Sequence, residues 1–351
     1  MNSANKIVAG WLMLVCIVIF VMIIVGGVTR LTHSGLSMVD WKPVMGFIPP
    51  LNAGQWADAF DAYKQYPEYQ KVNKGMSLDE FKNIFYWEYG HRVLGRSIGL
   101  VFFIPFVVLL LLGKIEKQLV PKLLVALILG GLQGLMGWYM VMSGLVDVPR
   151  VSHYRLAAHL GLALVILSYL FWIILALRAT KKIAVSHWFK TLCFVTLGII
   201  SLQILFGAFT AGLRAGLGFN TFPLMDGRFI AEAATMMTPL WLNFLENGAM
   251  VQFVHRWLGT LLLLLVILLF GFTVLGKLPR RLMVICGWLV MMTFAQFLLG
   301  VLTLVSYVPI VLASAHQGVA CLVLLASVLL VYSVRVPHRA VTANEVATRE
   351  V

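Results

Sequence analysis

The chain has 351 residues; 61% are hydrophobic, 12% are charged, and 27 Lys and Arg stand against 14 Asp and Glu. A soluble domain carries about twice that charged fraction, so composition excludes an ordinary soluble fold. The net charge of +13 would suit a nucleic-acid binder, but its distribution along the chain points to membrane topology instead.

Apolar blocks long enough to cross a bilayer as helix, about 20 residues, fall at residues 7–28, 86–112, 119–142, 157–177, 188–210, 250–275, 282–305 and 308–334. They are continuously apolar rather than alternating, which predicts helices and not a barrel. The first block is too long for a signal-peptide core and has no small-x-small cleavage site before Gly26-Gly27. It is read as a retained first helix. No Arg- and Ser-rich transit segment precedes it, which points to a bacterial chain. Two long segments, 30–85 and 211–249, follow the first and fifth blocks and exceed ordinary connections, so they are expected to cap or gate. Polar residues 58–79 are expected to form an amphipathic helix. The last two blocks share an uncharged run, 282–334, and Ser306-Tyr307-Val308-Pro309 is its place to turn.

The N-terminus and every second loop collect 14 of the 27 basic residues against three acids, an excess of +11, while the rest of the chain sums to +2. Basic loops stay on the cytoplasmic side, so both termini are expected there, with 336–351 as a cytoplasmic tail. Nucleic acid is not needed to explain the charge. The four cysteines, Cys16, Cys193, Cys286 and Cys321, lie in four different apolar blocks without a C-x-x-C pair. They read as small buried apolar residues.

The chain repeats itself. His91-Arg92-Val93-Leu94-Gly95 matches His255-Arg256-Trp257-Leu258-Gly259, Gln133 through Gly137 matches Gln296 through Gly300, and Ala158-His159-Leu160-Gly161 matches Ala315-His316-Gln317-Gly318. The offsets are 164, 163 and 157, and Thr29 to Leu36 echoes Thr210 to Leu217 at 181. Four matches in order argue for duplication. The expected fold is an all-α integral membrane protein, eight transmembrane helices as two pseudo-symmetric four-helix bundles in parallel repeat. The halves are 1–180 and 181–335.

Four of the eight histidines, His33, His153, His187 and His338, lie in loops or at helix ends without repeat partners. The other four pair through the repeat: His91 with His255, and His159 with His316. An ionisable residue inside a membrane is costly and points to function. Neutral imidazole binds iron, and a haem gripped on both faces needs one histidine from each of two facing helices. His91 with His159, and His255 with His316, would make two such sites. The plain alternative is four hydrogen-bonded core histidines. Zinc would need further soft ligands that neither pair has. Arg92, Arg96 and Arg256 could pair with haem propionates, or Arg92 and Arg96 could only cap and snorkel at the interface. Glu88 lies one turn before His91, whereas the repeat places Gln252 at the equivalent position. That asymmetry gives the first site a carboxyl for proton transfer, unless Glu88 only pairs with Arg92 at spacing four.

Several strings resemble the haem A synthase family, in the group that includes the mitochondrial members, over nearly the whole chain. They are Gly26-Gly27-Val28-Thr29-Arg30-Leu31-Thr32, Ser34-Gly35-Leu36-Ser37-Met38, Glu80 through Phe85, and Glu88-Tyr89-Gly90-His91-Arg92 with Gly95-Arg96. Tyr154 through Leu160, Asn220-Thr221-Phe222-Pro223, and Val251-Gln252-Phe253 with His255-Arg256 complete the set. The resemblance implies oxidation of a ring methyl of haem O to the formyl group of haem A through hydroxylation. It implies that His91 and His159 surround the substrate haem, with Glu88 as an essential acid, and that His255 and His316 ligate a resident haem b that relays electrons. Some bacterial members carry a cysteine pair in an outer loop; this chain has none, which excludes a disulfide-linked mechanism. A di-haem b-type electron-transfer protein and a haem carrier without chemistry are the alternatives. The implied setting is a bacterial inner membrane with the haem sites toward the periplasmic side. Haem O synthase and an electron donor are the implied partners. Gly130/Gly134 and Gly95/Gly99 spacings permit close helix contacts, including those of a homo-oligomer.

Overall fold

A computed structural model describes residues 3–39, 47–146 and 149–335; the predicted cytoplasmic tail and His338 lie outside them. Eleven α-helices are found among the described residues: α1 Ser3–Leu31, α2 Ala53–Lys64, α3 Pro67–Lys71, α4 Leu78–Leu111, α5 Val120–Met142, α6 His153–Leu177, α7 His187–Gly212, α8 Asn243–Glu246, α9 Gly248–Leu275, α10 Arg280–Val305 and α11 Ile310–Ser333. Eight of them, all but α2, α3 and α8, are long and apolar enough to cross a membrane. No strand occurs among the described residues beyond an isolated bridge between Met225 and Arg228. The all-α, eight-span expectation holds.

Local chemistry moves several ends beyond the apolar blocks. Helix α4 starts at Leu78, eight residues before its apolar block, because Ser77 and Glu80 form a reciprocal capping box. Its Glu80 carboxylate accepts from the Ser77 backbone N–H at 2.8 Å, and the Glu80 N–H donates to Ser77 Oγ at 3.3 Å. Helices α10 and α11 separate where the sequence allowed it. Tyr307 and Val308 both sit at φ 60°, and Pro309 then opens α11. All four cysteines are buried and free.

By packing, the chain divides into two compact units, Gly10–Leu167 and a second comprising Ser168–Val351 with Met1–Ala9. In the first unit, the segment after α1 carries an aromatic core. Trp56, Phe60, Tyr63, Phe81 and Phe85 are buried together, with Phe60 and Tyr63 stacked on Phe81 at 5.0 and 5.1 Å. Burial and the Glu68 carboxylate hold the Tyr63 phenol above its usual range, and Asn73 Nδ2 donates to its oxygen at 2.7 Å. In place of one amphipathic helix within 58–79 there are two short ones, α2 and α3, with residues 72–77 outside them; Trp56, Phe60 and Tyr63 of α2 supply part of this core.

In the second unit, the segment between α7 and α9 is held by side-chain amides instead. Asn220 Nδ2 donates to Gly216 O at 2.8 Å and Leu304 O at 2.7 Å. The fully buried Asn243 donates to Met237 O and Leu240 O and accepts from the Met237 N–H. Asn247 Nδ2 bonds Ala233 O at 2.6 Å and Asn243 Oδ1 at 2.9 Å. This segment has few large buried apolar side chains (its cluster is Met225, Ala231, Ala234, Ala249 and Met250), so hydrogen bonds carry its shape.

Candidate functional site: two histidine pairs

The four repeated histidines sit on α4, α6, α9 and α11, each half-buried. In the second unit, the rings of His255 and His316 face each other with centroids 6.3 Å apart and planes at 86°. A metal–imidazole bond is about 2 Å long, so two imidazoles on opposite sides of one iron have ring centres about 6 Å apart. The spacing therefore fits one metal between them. His316 Nδ1 lies 3.1 Å from the Gln296 carbonyl. An N–H there leaves Nε2 as the ligating atom, the arrangement that metal-binding histidines commonly use. His255 Nδ1 is buried without a hydrogen-bond partner. In the first unit, His91 and His159 are near enough to interact electrostatically, and His159 Nδ1 is likewise buried and unpartnered.

Each ring rests on a glycine of the preceding span. A Cβ added at Gly26 would lie 3.1 Å from His91, at Gly137 3.1 Å from His159, at Gly207 3.0 Å from His255, and at Gly300 2.8 Å from His316. Only glycine gives imidazoles this access to a helix backbone. Among the described residues no three His, Cys, Asp or Glu cluster around a point. A donor set of two imidazoles suits a planar macrocycle that brings its own equatorial nitrogens.

Glu88 and Arg92 lie together, and both bond the segment after α1. Glu88 Oε2 accepts from Ser37 Oγ at 2.9 Å and the Met38 N–H at 2.8 Å, while Oε1 accepts from Arg92 Nη2 at 2.5 Å. Arg92 Nη2 also donates to Met38 O at 2.7 Å. The second unit repeats this clasp with opposite polarity. Gln252 Nε2 donates to Ala215 O at 2.8 Å and Gly218 O at 2.7 Å, and its Oε1 accepts from Arg256. Arg256 in turn donates to the carbonyls of Thr221, Leu224 and Phe219. The carboxylate meets N–H and O–H groups, and the amide meets carbonyls. Buried Arg256 Nε retains an unpartnered N–H. Arg96 lies over the Phe47 ring at 5.3 Å.

His33 is exposed with φ 54°, and His153 opens α6 with its ring 4.0 Å from that of Tyr154. The sequence reading did not single out the four glycines, Ser37 or Met38 as site residues. For Gly207 a signal existed: Gln203 through Gly207 has the same Gln-x-x-x-Gly form as 133–137 and 296–300.

Eight bilayer-length helices with an imidazole pair in each packed unit define the class: a multi-pass membrane protein with two pairs of histidines among its spans. A family model described as cytochrome oxidase assembly protein, COX15-CtaA, matches residues 9–328, and the chain belongs to this family. It is 48% identical over 323 residues to a protein of Parvibaculum lavamentivorans named heme A synthase, covering 92% of both chains. A protein of that name from Nitrosospira multiformis is 46% identical over 93% of this chain and 92% of its own. One from Wolbachia pipientis is 45% identical over 89% and 88%.

Proposed function

We propose that this chain is a haem A synthase, oxidising a ring methyl of haem O to a formyl group through hydroxylation in a bacterial plasma membrane. The observation that carries the reading is the facing His255–His316 pair, repeated in kind by His91 and His159, in a chain so similar to proteins named heme A synthase. On this reading His91 and His159 hold substrate haem O from its two faces. His255 and His316 hold a resident haem b, which supplies one-electron transfer when bound. The unpartnered Nε–H of Arg256, with Arg92 and Arg96, offers donors to propionate carboxylates. Glu88, one turn before His91, is the carboxyl that takes and returns a proton beside the first pair. Gln252, its counterpart, has no such proton, so the two pairs have different tasks. Both termini face the cytoplasm, the histidine pairs lie toward the outer side, and an electron donor and the source of haem O are its partners.

A di-haem electron-transfer protein or a haem carrier would also use both pairs, but would ask of Glu88 only the clasp on Ser37 and Met38 and no proton transfer. Extracting the pigments of the purified protein separates these readings. Haem O or haem A together with haem b is the expected result; haem b alone would overturn the synthase reading.

A further inference from the structure

The Gln-x-x-x-Gly string occurs on three spans, and each time its glutamine touches the histidine that its glycine supports. Gln133 Nε2 donates to His159 O at 3.1 Å and lies 3.4 Å from the ring Nε2. Gln203 Nε2 donates to His255 O at 3.0 Å, and Gln296 Nε2 lies 3.4 Å from His316 Nε2. All three Oε1 atoms are buried without a partner, an unfavourable state for a carbonyl oxygen. These amides therefore sit beside the imidazoles at a cost, which packing alone does not explain.

The fourth histidine breaks the pattern. Four residues before Gly26, the glycine under His91, stands Met22. It occupies the same place as Gln203: a Cβ at Gly95 would lie 3.3 Å from Met22 Cε, and one at Gly259 would lie 3.0 Å from Gln203 Nε2. Gly95 and Gly259 each lie four residues after their histidine. Methionine has no donor and a flexible side chain. The ring edge differs as well. His159, His255 and His316 turn Cε1 toward their glycines, whereas His91 turns Nε2 and Cδ2.

We propose that Gln133, Gln203 and Gln296 are positioning residues that hold three iron-ligating imidazoles in place, and that Met22 leaves His91 as the yielding ligand through which haem O enters and haem A departs. This rests on the assignment of the first pair to substrate and the second to a resident haem. A resident group needs both ligands held. A substrate that must leave needs one ligand that can tilt away, and a ring flanked by a thioether tilts more easily than one flanked by an amide.

The test uses the full chain in lipid nanodiscs, loaded with haem b, and follows haem transfer to excess apomyoglobin along with the low-spin ferric spectrum. Gln203→Met should speed haem loss from the second pair by about tenfold to a hundredfold and shift its spectrum. Met22→Gln should slow loss from the first pair by a comparable factor, and it decides the matter alone if Gln203→Met fails to fold. Release rates and spectra unchanged in both variants, with haem still lost on His255→Ala, would overturn this proposal while leaving the synthase reading standing. Full haem content in His255→Ala would overturn that reading and this proposal with it.

Discussion

Replacing Glu88 by glutamine tests the clasp at its most loaded point. The carboxylate accepts three hydrogen bonds, from Ser37, Met38 and Arg92, and both members of the ion pair are buried, with side chains 3% and 9% exposed. A glutamine must aim its NH2 either at Arg92 or at Ser37 and Met38. Whichever way it turns, donor faces donor. Hydrogen bonds to charged groups are worth about 1.5–3 kcal/mol, so a net loss of about 2 kcal/mol is expected for the grip on Met38. At about 1.4 kcal/mol per factor of ten, the Met38 amide should then exchange about thirtyfold faster with solvent deuterium. Hydrogen-exchange mass spectrometry on residues 35–39 reads this directly, with haem content and haem A yield measured on the same preparation. We expect faster exchange, retained haem and stalled conversion. Unchanged exchange would refute the clasp, and a normal haem A yield would remove Glu88 from proton transfer.

Two further outcomes follow from the packing around the histidines and the second loop. Gly300→Ala places a Cβ 2.8 Å from His316 Cε1, so haem per polypeptide should fall, whereas Gly130→Ala, with nothing within 4 Å, should leave it unchanged. Equal haem contents would refute the cradle. Asn243→Ala removes bonds to Met237 and Leu240 from a fully buried position, at a cost of about 2–4 kcal/mol. Limited proteolysis should then cut residues 236–246 well before the spans, and an unchanged cleavage pattern would count against that network.

The spans were legible because a bilayer-length apolar run has few other uses, and the turn at 306–309 was legible because only there could an uncharged 53-residue run bend. The histidines stood out because the repeat marked the same four positions. The clasp was not readable from spacing alone. Glu88 and Arg92 at spacing four suggested an ion pair, which the structure contains, but Ser37 and Met38 lie 51 and 50 residues from Glu88. Which backbone groups meet them depends on how the segment after α1 folds back. The start of α4 is readable in principle, since Ser77 and Glu80 have capping-box spacing, but the polar run in which they lie lacks the apolar signal of a span.

In each unit the residue that clasps the long connecting segment directly follows a histidine, at Arg92 after His91 and Arg256 after His255. Consecutive helical residues cannot turn independently. A force that lifts the segment therefore applies a torque to the imidazole, and a change at the imidazole strains the segment. Any reporter placed on either segment (a spin label, a fluorophore, a protease site) will register events at the paired histidine without touching it.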